Sequence, residues 1–178
     1  MTLPNHMLAN DFIKLRALEP TDIDIIYRWE NDTRLWADSS VVAPFSRKQV
    51  WDYINSYTAD PFVSGELRLM IVDAAQGTPL GLIDLTDFDS INRRAQVGVM
   101  VDIAYQRRGV AGAALELMAR YCRERLGLHQ IWAIVAADNQ ASRALFASGG
   151  FVVSGHLKSW LRVGCEYRDA YFYHRFLV

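Results

Sequence analysis

One strand–loop–helix unit past the middle of the chain constrains the fold more than any other stretch. An apolar run over residues 97–101 leads into a loop of small residues, and a helical pattern continues from it to about Gly127. Backbone N–H groups at the start of a helix have no intrahelical partners and lie at the positive end of the helix dipole. The unit therefore predicts an anion site, although an ordinary strand-to-helix turn has a similar pattern. The loop consists of Gln106, Arg107, Arg108, Gly109, Val110, Ala111 and Gly112.

Two common phosphate-binding motifs are excluded by the spacing of the glycines in this loop. The dinucleotide fingerprint G-x-G-x-x-G follows the first strand of its unit, and a Walker A loop ends in Gly-Lys followed by Ser or Thr. Neither pattern is present at residues 106–112. Arg107 and Arg108 would place positive charge beside a phosphate group of some other ligand.

Composition and charge indicate the class of the protein. The chain has 178 residues, 51% of them hydrophobic, and a formal net charge of −1, which suits one globular domain over residues 1–178. This charge gives no pull toward nucleic acid. No apolar run approaches the roughly 20 residues that cross a bilayer, and the N-terminus lacks the features of a signal peptide. We therefore expect a cytoplasmic protein with reduced cysteines and without a membrane partner.

Hydrophobic periodicity predicts about seven strands and about four helices. Two of the helices fall between the first two strands, one follows the loop at 106–112, and one follows residue 138. The second, third and fourth strands form a meander and should pair antiparallel. One β–α–β unit inside this arrangement makes the predicted fold a mixed, mostly antiparallel α/β sheet. The strands are predicted at residues 12–18, 66–73, 80–88, 95–102, 130–136, 151–162 and 166–176.

Two motifs at a characteristic mutual distance resemble those of the GNAT superfamily of N-acetyltransferases. The first is the Gln/Arg-x-x-Gly-x-Gly/Ala loop, whose fixed positions are filled by Gln106, Gly109 and Ala111. The likeness covers residues 12–176 and implies the GNAT-like fold, with acetyl-CoA as co-substrate. Segments 15–22, 92–95 and 167–170 resemble the branch that contains ribosomal-protein-alanine and spermidine N-acetyltransferases. The second motif, which follows the buried fifth strand, consists of Asn139, Ser142, Phe146, Gly150 and Phe151.

The resemblance assigns cofactor binding first to the loop and to the strand before it. Residues 106–112 would hold the pyrophosphate of acetyl-CoA. The backbone of Val99, Met100 and Val101 would pair with the pantetheine arm and supply the amide that stabilises the oxyanion. Gly98 is consistent with a local irregularity of this strand. The alternative for residues 99–101 is a plain core strand, and their side chains are expected in the core in either case.

The second motif would complete the cofactor site. By the resemblance, Asn139 contacts the pantetheine, and Ser142 contacts either the pantetheine or the adenosine-phosphate portion. Helix capping is the alternative for Asn139, and both roles are compatible. A solvated helix position is the alternative for Ser142. Phe146 is assigned to the cofactor site because it occupies the place of a family tyrosine.

Acetyl transfer needs a base for the nitrogen and an acid for the leaving thiolate. The family's frequent acid is the tyrosine at the place of Phe146, and phenylalanine has no proton to give. Water, or a nearby group such as Ser142, Tyr105 or Cys165, is left for that role. Asp84 in the third strand is the predicted base, with a solvated strand charge as the alternative reading. Asp87 points to the opposite face of the strand unless the strand bulges.

The acceptor is predicted to be an amine, and a polyamine or another small amine is favoured. Six acidic side chains between residues 19 and 38 would attract a cation, although an ordinary solvated helix face is an equal reading. Two other functions stay open: N-terminal acetylation of a protein such as a ribosomal protein, and a non-catalytic acetyl-CoA-binding sensor. A homo-oligomer is compatible with the sequence but not required by it. No metal is expected, since the His and Cys residues lack metal-ligand spacing. The predicted acceptor-binding residues are Glu30, Trp36, Asp84 and Tyr167.

Overall fold

A computed structural model of the chain describes residues 7–36 and 41–177. Short 3₁₀ turns lie at Pro20–Asp22 and Ile103–Tyr105, and a π turn at Cys122–Leu126 extends the helix that ends at Tyr121. The strands are β1 (Ile13–Arg16), β2 (Leu67–Asp73), β3 (Pro79–Asp89), β4 (Arg94–Val101), β5 (Gln130–Ala136), β6 (Val152–Val163) and β7 (Glu166–Phe176). The helices are α1 (Ile23–Glu30), α2 (Thr33–Trp36), α3 (Arg47–Ser56), α4 (Pro61–Ser64), α5 (Val110–Tyr121) and α6 (Gln140–Ser148).

The strands form one mixed sheet in the order β1-β2-β3-β4-β5-β7-β6. Every neighbouring pair is antiparallel except β4 and β5, which are parallel. The predicted α/β fold, with its meander and its single parallel crossover, is confirmed. The periodicity missed α2 and α4, because four residues are too short to show a helical period.

Alternate residues of the central strands face two separate cores. On β2, Leu67 and Leu69 belong to the core cluster that contains the buried side of α5. Met70, two residues after Arg68, belongs to the second cluster, with Ile26 of α1 and Val50 of α3. Since side chains of a strand alternate between its faces, Arg68 lies on the α1–α3 face.

The sheet opens between β4 and β5. The two strands pair only from Arg94 to Gln96, opposite Gln130 to Trp132, and residues 97–101 of β4 have no partner on the β5 side. Gly98 stays in regular register with Asp84 of β3, so the expected irregularity at Gly98 is not found there. The register shift of the β3–β4 pair lies instead between Thr86 and Asp89, where Asp87 has a φ of 47°.

A buried ion pair fixes the entry into α1. Arg16 Nη1 donates to Asp22 Oδ2 at 2.7 Å, Arg16 Nη2 donates to Oδ1 at 2.8 Å, and the Glu19 main-chain N–H donates to Oδ2 at 2.8 Å. Asp22 is only 3% exposed, and these bonds satisfy both of its oxygens. The pair therefore holds the start of α1 against β1, which places the end of α1 over the sheet.

We predict that Gly81→Ala lowers the free energy of unfolding by about 1–3 kcal/mol. A Cβ atom at Gly81 would collide with the carbonyl oxygen of Met100 on β4, so one of the two strands must shift. Denaturant titration measures the effect. Gly155→Ala on β6 is the matched control, because its Cβ would only meet Phe172 Cβ at 3.5 Å. A Gly81→Ala protein as stable as the wild type would contradict this close approach of β3 and β4.

Candidate acceptor and cofactor site

A cavity of about 740 Å³ lies on the α1–α3 face of the sheet. Its floor consists of side chains from β2, β3 and β4, and its walls come from α1, α2, residues 41–45 and α3. Gly98 opposes Asp84 on the floor and, having no side chain, leaves space above that carboxylate. The volume lies in the range of small-molecule sites. The polar side chains of the floor and walls include Glu30, Tyr53, Glu66, Arg68, Asp84 and Gln96.

Arg68 joins two carboxylates at the floor of the cavity. Its Nε and Nη2 atoms donate to Asp84 Oδ1 and Oδ2 at 2.9 and 3.0 Å, and Nη1 donates to Glu30 Oε1 at 3.0 Å. Arg68 and Asp84 oppose each other in the β2–β3 register, and Glu30 is the last residue of α1. The guanidinium carbon lies 5.5 Å from the centroid of the Tyr53 ring. This Glu30–Arg68–Asp84 triad connects the sheet to the helical wall.

Charge and hydrogen bonding keep Arg68 protonated. Burial alone would lower the pKa of Arg68, but the charge and hydrogen bonds of Asp84, with the charge of Glu30, raise that pKa above its ordinary value. The Tyr53 hydroxyl donates to Glu66 Oε1 at 3.3 Å, and the Tyr57 hydroxyl accepts from the Arg68 main-chain N–H. Burial raises the pKa of both tyrosines, so both are neutral near pH 7.

The loop at 106–112 has the geometry of an open helix N-terminus. Gly109 is the N-cap of α5, and its φ of 81° is a left-handed conformation that favours glycine. Apart from Gly109 itself and its two chain neighbours, no described residue has an atom within 4 Å of where a Cβ would stand. Arg107 and Arg108 are exposed, and the Arg108 guanidinium lies 5.6 Å from the centroid of the Tyr105 ring. The first N–H groups of α5 are therefore bare beside two cations, as an anion site requires.

Within the loop, side chain and backbone have separate roles. The Gln106 side chain donates from Nε2 to the Val101 carbonyl at 3.1 Å, which ties the loop to the end of β4. Val110 is only 3% exposed and packs in the main core, so its backbone alone is available to a ligand. Ala111 and Gly112 follow in the first turn of α5 and are half-buried.

Asp102 connects this loop to the wall of the cavity. Its Oδ2 accepts hydrogen bonds of 2.7 Å from Arg28 Nη2 and from Trp29 Nε1 of α1. Its Oδ1 accepts from the Ala104 N–H at 2.9 Å and so caps the 3₁₀ turn before the loop. Burial opposes the ionised form, but the Trp29 and Ala104 hydrogen bonds and the Arg28 charge lower the pKa of Asp102 below its ordinary value.

The predicted cofactor residues of β4 lie where the sheet opens. Val99 and Met100 also line the cavity, whereas Val101 is 8% exposed and belongs to the main core. Asn139 caps α6, since its Oδ1 accepts the Ser142 N–H at 2.9 Å, and the capping alternative is thereby confirmed. Ser142 is half-buried in the first turn of α6 and does not line the cavity.

Phe146 is placed in the main core, and the cavity does not reach it. Its ring is 5% exposed and makes an edge contact with Phe151, with centroids 5.0 Å apart, and it lies 6.1 Å from the Tyr173 ring. Periodicity cannot separate a helix residue that touches a cofactor from one that packs against the next strand. The role of Phe146 at the cofactor therefore stays a prediction.

Three of the four predicted acceptor-binding residues meet in the cavity. Glu30, Trp36 and Asp84 line it together, whereas Tyr167 lies near the tip of the β6–β7 hairpin, is 62% exposed and does not line it. The β6–β7 hairpin holds Tyr167 outside this cavity, and its role in binding the acceptor stays a prediction. Arg68 was missed by the sequence reasoning, although its opposition to Asp84 follows from the hairpin register.

The predicted acidic rim is mostly neutralised. Asp22 pairs with Arg16 and Asp32 with Arg34, and Asp24 pairs with Arg47. Glu30 is the acid of this segment that lines the cavity among the described residues, and Asp38 lies outside them. The described residues contain no group of three or more His, Cys, Asp or Glu arranged to hold a metal ion. None of the helices in the described ranges is long and apolar enough to span a membrane.

We predict that Asp102→Asn lowers the free energy of unfolding at pH 7 by about 1–3 kcal/mol, because the variant loses charge-assisted hydrogen bonds to α1. The pKa of Asp102 is depressed in the folded state, so its contribution is complete above the unfolded value of about 3.9 and is lost as the pH falls through the folded value. The stability gap between wild type and variant should therefore close between about pH 5 and pH 2. Urea titrations across this range measure it, with exposed Asp52→Asn as the control; a gap independent of pH would contradict the assignment.

Known acetyltransferases resemble the chain along most of its length. Residues 13–152 match the family model described as the acetyltransferase (GNAT) domain. The spermidine N(1)-acetyltransferase of Escherichia coli is 25% identical over 173 residues, covering 93% of this chain and 89% of that protein. The putative ribosomal N-acetyltransferase YdaF of Bacillus subtilis is 27% identical over 172 residues, covering 93% of this chain and 91% of that protein.

A solved structure extends the likeness to three dimensions. The spermidine N-acetyltransferase of Vibrio cholerae in complex with CoA and spermine matches with a TM-score of 0.83 at 25% identity, covering 94% of this chain and 97% of that one. The GNAT family model matches most of the sequence, and the fold agrees with it. So do the part of β4 that has left β5 and the open N-terminus of α5. The chain therefore belongs to the GNAT family of acetyltransferases and is an acetyl-CoA-dependent N-acetyltransferase.

Proposed function

We propose that the protein transfers an acetyl group from acetyl-CoA to the primary amine of a small molecule, with polyamines as the leading acceptor class. The observation that carries the proposal is the carboxylate-lined cavity, whose floor reaches the part of β4 that has left β5. Carboxylates attract an ammonium group, and the open strand edge can present a thioester to it. The names of the spermidine N-acetyltransferases among its relatives support the same acceptor class.

For the cofactor, we assign the pyrophosphate to residues 106–112 and the pantetheine arm to the backbone of Val99, Met100 and Val101. A main-chain N–H of this β4 segment would stabilise the oxyanion that forms when the amine attacks the thioester. Asn139 orders the turn before α6, and Ser142 stands in its first turn. Since Phe146 offers no proton, we retain Ser142, one helical turn earlier on the same side of α6, as the donor to the leaving thiolate.

For the acceptor, we assign Glu30 and Asp84 to the ammonium group and Trp36 to the wall that encloses its chain. Both oxygens of Asp84 accept hydrogen bonds from Arg68, so a proton taken from the amine would have to compete with these bonds. We therefore propose that Asp84 binds the acceptor rather than taking its proton. Gln96 lines the same cavity and can orient the amine, but it cannot accept a proton from it.

N-terminal acetylation of a protein is the second candidate. The cavity is only partly enclosed by acidic groups, and several of its walls are apolar, so the first residues of a peptide would also fit. The Bacillus subtilis relative YdaF is named a putative ribosomal N-acetyltransferase, which supports keeping this candidate.

Assembly and location are further parts of the proposal. A solved spermidine N-acetyltransferase of Vibrio cholerae is described as dodecameric, and it matches this chain with a TM-score of 0.80. We propose that this chain also forms a homo-oligomer, which light scattering after size exclusion would test. Cys122 and Cys165 are both free thiols, which suits the proposed cytoplasmic location.

Incubation with acetyl-CoA and a panel of polyamines, monoamines and N-terminal peptides should release CoA thiol with at least one amine. We predict that Asp84→Asn raises the KM for that amine at least tenfold, roughly 1.4 kcal/mol of binding, and leaves the KM for acetyl-CoA unchanged. Asp87→Asn is the matched control, because Asp87 lies on the same strand, is exposed and does not line the cavity. Tight acetyl-CoA binding without thiol release for any amine would instead favour the sensor function.

We predict that Arg108→Glu weakens acetyl-CoA binding at least tenfold, because an anion then stands beside the proposed pyrophosphate site. Isothermal titration calorimetry with acetyl-CoA measures the affinity. The control is Arg123→Glu, the same charge change at an exposed residue of the π turn after α5. Equal affinities of the two variants would refute the placement of the pyrophosphate at this loop.

A further inference from the structure

The Glu30–Arg68–Asp84 triad carries one net negative charge, since two carboxylates oppose one guanidinium. Each side chain keeps part of its surface open to the cavity: the exposed fractions are 27% for Arg68, 19% for Glu30 and 25% for Asp84. Arg68 is the only cationic side chain among the lining residues that the structure describes. The triad therefore contributes, together with Glu66, to the electrostatic potential at the place assigned to the acceptor amine.

Amine acetylation places two opposing requirements on the charge of the acceptor site. A primary amine reaches the cavity mostly as an ammonium ion near pH 7, and negative charge attracts it. Only the neutral amine has the lone pair that attacks the thioester carbon, so the ammonium must first pass a proton to solvent water. Every uncompensated carboxylate nearby stabilises the ammonium form and makes that loss harder.

We propose that Arg68 is a positioning residue that balances these needs: by cancelling one of the two carboxylate charges, it lets the cavity attract an ammonium group and still release its proton. The proposal rests on the amine acetyltransferase function proposed above. The geometry supports it, because Arg68 occupies both oxygens of Asp84 and one oxygen of Glu30 while it remains next to the free space above Gly98.

The other described titratable groups around the triad bring no positive charge, so Arg68 is left to offset the carboxylates. Glu66 lies two residues before Arg68 and lines the same cavity. Leu67, between them, opposes Leu85 of β3, so Glu66 adds its negative charge beside the Arg68–Asp84 pair. Tyr53 of α3 and Tyr57, which follows this helix, lie next to Arg68 and are neutral near pH 7 because burial raises the pKa of both. Removing the Arg68 charge would thus leave the acceptor among uncompensated carboxylates.

The test is the pH dependence of kcat at saturating amine, because its acid limb reports deprotonation in the enzyme–substrate complex. Spermidine is the first probe, and n-hexylamine replaces it if spermidine is not acetylated. Arg68→Met makes the triad position doubly negative, so the acid limb should move to higher pH by about one unit. Arg68→Lys keeps the charge and should keep the limb near its wild-type position.

Removing the Glu30 carboxylate should shift the acid limb of kcat in the opposite direction. Glu30→Gln leaves one carboxylate against Arg68, so the position becomes neutral, and the acid limb should move to lower pH while the KM for the amine rises. The double variant, Arg68→Met with Glu30→Gln, again has one net negative charge in the triad. The acid limb of its kcat profile should therefore return toward the wild-type pH. These two proteins carry the test even if Arg68→Met alone does not fold, since neither contains two uncompensated carboxylates in the triad.

The outcomes separate this inference from the function on which it rests. A wild-type protein that acetylates neither probe nor any amine of the panel would overturn the proposed function. An active wild type whose acid limb does not move in Glu30→Gln, or moves equally in Glu30→Gln and in the double variant, would overturn the role of Arg68. A uniform loss of kcat with an unmoved limb would show a purely structural role, which Arg123→Met, remote from the cavity, controls for.

Discussion

The early separation of β4 from β5 is the constraint on which the rest of the site depends. Parallel pairing lasts only from Arg94 to Gln96, and beyond it one edge of β4 has main-chain groups without a strand partner. Such groups need hydrogen bonds from somewhere, and the peptide-like amides of a pantetheine arm can supply them. The same separation brings Val99 and Met100 to the cavity, so the cofactor and the acceptor can meet across one strand.

The two halves of the site are joined by Asp102, one residue beyond the end of β4. A single carboxylate binds Trp29 and Arg28 of α1 and also caps the turn that leads to the loop at 106–112. Gln106 reinforces the same junction through the Val101 carbonyl. Because both contacts converge on the last residues of β4, a shift of α1 cannot leave the loop geometry unchanged. Asp102 and Gln106 therefore connect the α1 wall of the cavity to the loop at 106–112.

Sequence reasoning succeeded where the physical requirement is local. A helix N-terminus with bare backbone needs glycine at a fixed place, and Gly109 has the left-handed φ that this requires. Asn139 caps α6 for an equally local reason. The triad depends instead on register: the turn between β2 and β3 places Arg68 opposite Asp84, but Glu30 arrives from a helix whose position no local pattern specifies. The position of Tyr167 outside this cavity was equally hard to predict, since only the length and path of the β6–β7 hairpin decide where it lies.

The acidic first helix shows why counting charges along a sequence gives a poor estimate of the potential in a cavity. Asp22, Asp24 and Asp32 each have an arginine partner within the fold, and two of those arginines are less than seven residues away. Their pairs contribute little net field at the acceptor, because a carboxylate and a guanidinium in contact cancel at a distance. Among the described residues that line the cavity, the charge that remains to act on an amine is that of Glu66 and the one net charge of the Glu30–Arg68–Asp84 triad. A cavity of this kind attracts a cation without holding it as an ammonium ion, and for an enzyme whose substrate must lose a proton before it reacts, a moderate charge serves better than a strong one.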